Sequence, residues 1–170
     1  ERGSAALIVD LRGNTGGHPR LASQLLSHLV AEPFRYFVGD STGSGDLASL
    51  YREQVPANNT FTGQVVVLMD GAGVSTTGHF LSLARVLRVA TLIGEESGSS
   101  FWSNDNSHRA VLPASNLEVN VPTHIFSTVS DGLNPTRGVP PDIAGIATPE
   151  DFLEGRDSAL RHALDWIDGH

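Results

Sequence analysis

The sequence predicts an α/β fold with an antiparallel section in its C-terminal half. Two apolar runs of strand length, at 5–11 and 64–69, each lead through a glycine-rich turn into apolar residues at helical spacing. After residue 101 the apolar runs shorten and alternate, which indicates antiparallel strands. One domain, 1–170, accounts for the whole chain, because 39% hydrophobic residues can cover one core and the sequence has no repeat or low-complexity tract.

In the first half, the run at 5–11 is typical of a strand buried on both faces. Leucines at helical spacing after Pro19 predict a helix over 19–31, and a second strand follows at 34–38. The polar segment 40–62 predicts a loop with one helical turn near 47–51. The remaining predicted elements are a strand at 64–69, a helix beginning near Ser75, strands at 90–93, 109–112, 117–121 and 124–128, and a closing helix at 159–167.

The composition excludes several classes of function. The net charge of −8 argues against nucleic acid or an anionic membrane surface as the main partner. Every apolar run is too short to span a bilayer, and the absence of cysteine excludes disulfides and thiol chemistry. All 11 basic residues are arginine. The chain has neither an initiator Met nor a signal-peptide pattern, so we expect a piece of a longer protein.

Two glycine-rich turns, at 12–17 and 70–75, are the candidate sites of chemistry. Both follow apolar strands, so we expect them at the same edge of the sheet. In the second turn, Ser75 stands where a strand passes into a helix, which exposes its hydroxyl beside the free N–H groups of the helix start. Ser75 suits a nucleophile there, although a serine at this place is more often a simple N-cap.

The first turn, Arg12-Gly13-Asn14-Thr15-Gly16-Gly17, brings backbone close to any ligand at that edge. Its Gly–Gly pair can offer an N–H to an oxyanion. A phosphate cradle or an ordinary turn between strand and helix is the alternative, although the segment matches neither common phosphate-binding motif.

Taken together, these segments closely resemble peptidase family S41, which includes the tail-specific peptidases, the tricorn core protease and the interphotoreceptor retinoid-binding modules. The segment 7–17 resembles the family's strand and turn DLRxNxGG, and 65–75 resembles its strand and nucleophile turn. Residues 90–95 are similar to its strand ATLIGE. Further similar blocks are 112–113, 121–122 and 137–143, in the family's order.

The resemblance implies a ClpP/crotonase-like spiral sheet as the fold. It implies a serine peptidase, which hydrolyses peptide bonds, as the function. It implies Ser75 as nucleophile and an oxyanion hole made by the backbone N–H groups of Gly16, or its neighbour Gly17, and Thr76. Peptides or proteins would be the substrates, and we expect neither a metal ion nor a cofactor. The resemblance also leads us to expect a periplasmic or secreted location.

The chain departs from the family at the general base. The tail-specific branch pairs its serine with a lysine, which would fall at or near Ser100, and this chain has no lysine. A Ser–Lys dyad within the chain is therefore excluded. Gly78 stands where the family has an acidic residue. The tricorn-like branch uses a histidine that precedes the first core strand, and a glutamate from the closing segment assists it. In this chain the closing segment has no glutamate at that place, and only Asp131 could substitute for it. We therefore expect a preceding segment or domain to complete the site.

Internal residues offer weaker alternatives. His79 and His18 are minor candidates for the base. His79 would lie on the same helix as Ser75 but behind it. His18 is considered because it adjoins the Gly–Gly turn. Asp10 and Arg12 are expected to form a structural ion pair. For Trp102 we favour a packed aromatic over a residue lining the substrate groove.

Three functions remain open on the sequence alone. The first is a serine peptidase whose base comes from outside the chain, and the second is a non-catalytic S41-like binding module. A crotonase-type acyl-CoA enzyme is the third, but it would not need Ser75, and no segment resembles an adenine-binding site.

Overall fold

A computed structural model describes residues 6–40, 45–104 and 108–169. The strands, in chain order, are β1 (Ala6–Asp10), β2 (Phe34–Arg35), β3 (Phe37–Val38), β4 (Glu53–Gln54), β5 (Gln64–Met69), β6 (Thr91–Gly94), β7 (Trp102–Asn104), β8 (His108–Val111), β9 (Glu118–Val121), β10 (Ile125–Thr128) and β11 (Ile143–Ala144). The helices are α1 (Pro19–Ser27), α2 (Thr76–Val86), α3 (Pro149–Leu153) and α4 (Ser158–Asp168), and a 3-10 helix covers Gly45–Tyr51.

A parallel sheet of four strands forms the centre of the molecule. Its order is β1-β5-β6-β11, and each neighbouring pair runs parallel. Alternate residues of β5 enter two different cores, as expected for a strand covered on both faces. Val65, Val67 and Met69 pack with apolar side chains from α1 and α2. Val66 and Leu68 pack instead with Ala159 and Ala163 of α4.

The strand β1 is less buried than the sequence predicts. Its apolar residues are half-buried, whereas those of β5 from Val65 onwards are buried. The physical reason is position, because β1 lies at the edge of the sheet and pairs only with β5.

The antiparallel section of the C-terminal half is confirmed, and its strands β7 to β10 belong to two of the three small antiparallel sheets. The strand order in one sheet is β3-β10-β7, while β2 pairs with β4 and β8 pairs with β9. The single strand expected at 34–38 is therefore two short strands that join different partners. The hairpin β8–β9 is exposed along both strands, and its register places Ala110 opposite Val119 on one face.

The other differences concern short elements and helix ends. The helix predicted over 19–31 ends at Ser27, and the elements β4, β7, β11 and α3 have no counterpart among the predicted ones. These strands contain only two or three residues, too few for a periodic pattern. The helix near Ser75 and the closing helix are confirmed as α2 and α4. Among the described helices, none is long and apolar enough to cross a membrane.

Candidate active site

The two glycine-rich turns lie together at one edge of the sheet, as expected. They follow β1 and β5, which are parallel neighbours and so end on the same side. The N–H of Gly13 donates to Asp70 Oδ2 at 2.9 Å, which joins the turns directly. A Cβ placed on Gly16 would lie 2.8 Å from Ser75 Cβ and 3.3 Å from its Oγ. Gly16 therefore lies against the side chain of Ser75.

Ser75 has an unusual backbone conformation, with φ 57° and ψ −128°. A residue other than glycine at positive φ carries strain of about 1–3 kcal/mol, and such strain concentrates at functional sites. The Ser75 side chain makes no capping hydrogen bond to α2, although the helix begins at the next residue. Ser75 therefore occupies the N-cap position of α2 without capping the helix through its side chain.

The residues around Ser75 hold the glycine turn in place. Thr76 Oγ1 donates to the carbonyl of Gly17 at 2.6 Å, and Thr77 Oγ1 donates to Asn14 Oδ1 at 2.8 Å. The same Asn14 oxygen accepts the N–H of Gly16 at 3.0 Å. These roles of Asn14 and Thr77 were not predicted, although both residues adjoin or lie inside the segments that carry the family resemblance.

These contacts distinguish the three N–H groups expected to bind an oxyanion. The N–H of Gly16 is already donated to Asn14. Those of Gly17 and Thr76 have no hydrogen-bond acceptor among the described residues. Gly17 and Thr76 therefore keep N–H groups that are not donated to a described residue, while Gly16 lies close to Ser75.

A cavity of about 440 Å³ opens beside Ser75. Trp102 lines it and is 43% exposed, so the preference for a packed aromatic is wrong. The Trp102 Nε1–H donates to the carbonyl of Pro135 at 3.1 Å, and Pro135 lines the same cavity. The lining residues are Ser75, Gly98, Ser99, Ser100, Trp102, Ser103, Asn104, Pro135, Thr136, Arg137 and Gly138.

Two segments that border this cavity are hydrogen-bonded to each other. The N–H of Val139 donates to Ser97 Oγ at 2.9 Å, and the N–H of Ser97 donates to the carbonyl of Val139 at 3.1 Å. At Gly138, a Cβ would lie only 1.7 Å from the carbonyl oxygen of Ser97. The close approach needs glycine at that position.

His79 is buried behind the site in α2. Its Nε2 lies 3.1 Å from Ser103 Oγ, and its ring meets Tyr36 and Phe37 edge-on. Burial lowers the pKa of His79 to about 4, because the charged form would lose its hydration. The ring is therefore neutral near pH 7 and is bonded to Ser103.

His18 has a different structural task. It is the N-cap of α1, and its Nδ1 accepts the N–H of Arg20 at 3.3 Å. Its Nε2 lies 3.4 Å from Asp46 Oδ2. Neither His18 nor His79 is among the residues that line the cavity beside Ser75.

The positions at which the chain departs from the family have clear surroundings. Ser100, at the place of the lysine, is buried and lines the cavity. A Cβ on Gly78 would lie 2.3 Å from Ser99 Oγ, so α2 packs too closely there to admit a side chain. Asp131 is exposed and is not among the described residues that line the cavity.

Asp10 and Arg12 form the structural ion pair expected from the sequence. The Arg12 guanidinium binds the carboxylates of Asp10 and Asp157 together, each with an N–O distance of 2.7 Å. These hydrogen bonds hold the pKa of Asp10 and of Asp157 below the usual range. Since Asp157 caps α4, Arg12 ties the end of β1 to that helix. The described residues contain no cluster of three or more His, Asp or Glu that could hold a metal ion.

A serine whose side chain does not cap the following helix, at a strained turn on the carboxyl edge of a parallel sheet, is typical of a serine hydrolase. The particular family follows from sequence, because the model of peptidase family S41 matches residues 1–144. The chain belongs to peptidase family S41, a family of serine-type peptidases that act on peptides or proteins.

Individual relatives agree with this assignment. A protein of Streptomyces coelicolor named as a tricorn protease homologue is 31% identical over an alignment of 171 residues. The alignment covers 96% of this chain and 13% of that protein. The chain therefore spans about one eighth of the length of this curated relative.

Solved structures show the same fold. A protein of Parabacteroides merdae described as a peptidase superposes with a TM-score of 0.69 at 23% identity, over 96% of this chain and 52% of that one. The tricorn protease superposes with a TM-score of 0.61 at 20% identity, over 99% of this chain and 15% of that one. The mixed α/β fold class predicted from the sequence is confirmed.

Proposed function

We propose that this chain carries the nucleophile and the oxyanion-binding groups of a serine peptidase, as a core domain of a longer protein. The observation that carries the proposal is the side chain of Ser75. It is not used to cap α2, it lies against Gly16, and it lines a cavity of about 440 Å³.

In this reaction, Ser75 Oγ attacks the carbonyl carbon of the scissile peptide bond as its proton passes to a general base. The carbonyl oxygen becomes an oxyanion, which accepts hydrogen bonds from the N–H groups of Gly17 and Thr76. When the C–N bond breaks, the base returns the proton to the leaving amine, and an acyl-enzyme remains on Ser75. Water then hydrolyses that ester and restores the hydroxyl.

The general base is assigned to a histidine outside this chain. A lysine is excluded within the chain, which contains none. His79 is a poor base at neutral pH because burial lowers its pKa to about 4, and His18 is engaged as a helix cap. This chain covers 13% of the relative from Streptomyces coelicolor, so a protein of that length has sequence outside the matched part that could contain such a histidine.

The same lack of a base keeps a second function in view, a peptide-binding module without catalysis. No histidine is among the described residues that line the cavity beside Ser75. Such a module would keep the cavity and the glycine turn but would not form an acyl-enzyme.

The substitution Ser75→Ala in the intact protein separates the two functions. We expect loss of peptide hydrolysis and of labelling by a fluorophosphonate, because the acyl-enzyme cannot form. The free energy of unfolding should change by less than about 1 kcal/mol, since the hydroxyl does not cap α2. Peptide binding should persist.

Ser115→Ala is the matched control, because Ser115 is exposed in the turn between β8 and β9. This variant should be labelled and should hydrolyse peptides as the wild type does. If the intact wild-type protein resists the fluorophosphonate and cleaves no peptide, the binding module is the better assignment.

A further inference from the structure

We propose that Arg137 binds a carboxylate group of the peptide in the cavity beside Ser75. This inference rests on the proposed function and adds a feature of the substrate to it. The carboxylate belongs either to the C-terminus of the peptide or to an acidic side chain near the scissile bond.

The charge of the cavity is the first observation. Of the described residues that line it, Arg137 alone carries a formal charge, and the others are Ser, Gly, Thr, Asn, Pro and Trp. The chain as a whole has a net charge of −8. A single cation in the cavity of so acidic a protein favours an anionic group on the ligand.

The hydrogen bonds of Arg137 are the second observation. Its Nε–H donates to Glu96 Oε1 at 3.1 Å, and its Nη2 group binds Glu96 Oε2. Glu96 thus occupies one edge of the guanidinium, and the Nη1 group has no acceptor among the described residues. A guanidinium has five N–H donors in a planar fork, so the edge formed by Nη1 and Nη2 can bind a second carboxylate.

Arg12 shows the same arrangement with both edges filled. Its Nε and Nη2 groups bind Asp10, and its Nη1 and Nη2 groups bind Asp157. Glu96 at Arg137 corresponds to Asp10 at Arg12. The corresponding second carboxylate at Arg137 would come from the substrate.

Glu96 also fixes where the guanidinium lies. Its Oε1 accepts the N–H of Gly138 at 3.0 Å as well as the Nε–H of Arg137. The Arg137 side chain is nevertheless 66% exposed, so a ligand can reach it. Trp102 and Pro135 form an apolar wall of the same cavity. A peptide residue could therefore rest on Trp102 while its carboxylate reaches Arg137.

The test compares peptides that differ only at the C-terminus, as a free carboxylate or a carboxamide, in the intact protein. We expect wild type to prefer the carboxylate by about tenfold to a hundredfold in kcat/KM, mainly through KM. Arg137→Gln should bring the two peptides to similar values. Arg137→Lys should retain part of the preference, because it keeps the charge but loses the fork.

Two further variants sharpen the result. Arg109→Gln is the matched control, since Arg109 is exposed, pairs with one glutamate and does not line the cavity; it should keep the full preference. Glu96→Gln should strengthen the preference, because the competing negative charge is removed.

A second arm identifies the source of the carboxylate. Amidated peptides with Glu or Gln near the cleavage position test an acidic side chain instead of the terminus. If neither the free terminus nor the glutamate is preferred over its neutral counterpart, or if Arg137→Gln keeps the preference, the proposal is overturned.

Calorimetric binding of the same peptides to Ser75→Ala separates this inference from the proposed function. A carboxylate preference that is lost in Ser75→Ala/Arg137→Gln supports the role of Arg137 even if the protein cleaves nothing. Cleavage without such a preference would leave Ser75 as the nucleophile and remove the role of Arg137.

Discussion

At the scale of single residues, Gly16 and Ser75 constrain each other. Gly16 has φ +109°, a conformation that side chains rarely adopt, and a Cβ there would meet Ser75 Cβ at 2.8 Å and the carbonyl oxygen of Val74 at 3.0 Å. Any side chain at position 16 must therefore displace the Ser75 turn or be displaced by it. The position of the hydroxyl depends on the absence of that single carbon.

Gly16→Ala should lower kcat for peptide hydrolysis in the intact protein by about a hundredfold or more, the effect of disturbing an oxyanion site. Gly13→Ala is the control, since Gly13 also has a positive φ, but a Cβ there meets no atom within 4 Å. That variant should lose about 1 kcal/mol of stability and keep its activity. Equal activities of the two variants would show that the contact with Ser75 is unimportant.

At the scale of elements, α2 connects the nucleophile to the rest of the fold. The helix begins directly after Ser75 and is buried from Thr76 to Ala84. Its His79 bonds to Ser103 of β7, the strand that lines the cavity. The hydrogen bond between α2 and β7 therefore places a neutral imidazole in the interior.

This burial predicts that stability depends on pH. The pKa of His79 is about 4 in the folded protein, below its ordinary value of 6.5, so only the unfolded chain takes up a proton between these values. The stabilisation is complete above about pH 6.5 and is lost as the pH falls from 6.5 to 4, by about 3 kcal/mol. Urea unfolding at pH 7 and at pH 4.5 measures the change.

His79→Gln serves as the reference for that measurement, because glutamine does not titrate. We expect the variant to be less stable at pH 7, with a smaller loss of unfolding free energy on acidification. If wild type and variant lose the same free energy between the two pH values, His79 does not titrate as described.

At the scale of the whole molecule, the chain forms its own cores, whereas the proposed peptidase reaction needs a general base that we assign to sequence outside it. Apolar side chains fill both faces of the parallel sheet, and the cavity beside Ser75 is lined without any histidine among the described residues. The tricorn protease homologue is much longer than this chain, which covers 13% of it.

We therefore expect residues 1–170 alone to fold but to hydrolyse peptides several orders of magnitude more slowly than the intact protein, because a serine without its base loses most of its reactivity. Peptide hydrolysis by the purified chain, compared with the intact protein at equal concentration, measures this. Robust turnover by the chain alone would place the base inside it.

Much of the fold and of the candidate site could be predicted from the sequence. Long local patterns determined the strand β5, the helices α2 and α4, and the antiparallel section, because hydrophobic periodicity is a property of neighbouring residues. The two glycine-rich turns located Ser75 and Gly16. A Ser–Lys dyad within the chain is excluded by composition alone, because the chain contains no lysine.

Only the tertiary structure decided which groups are free to act. Three such findings depend on contacts between distant segments. The Ser75 side chain does not cap its helix, the N–H of Gly16 is already donated to Asn14, and Trp102 and Arg137 share one cavity. The same applies to β1, whose composition suits a central strand but which lies at an edge. Burial and hydrogen-bond partners are set by where segments pack, and a local sequence pattern does not contain that information.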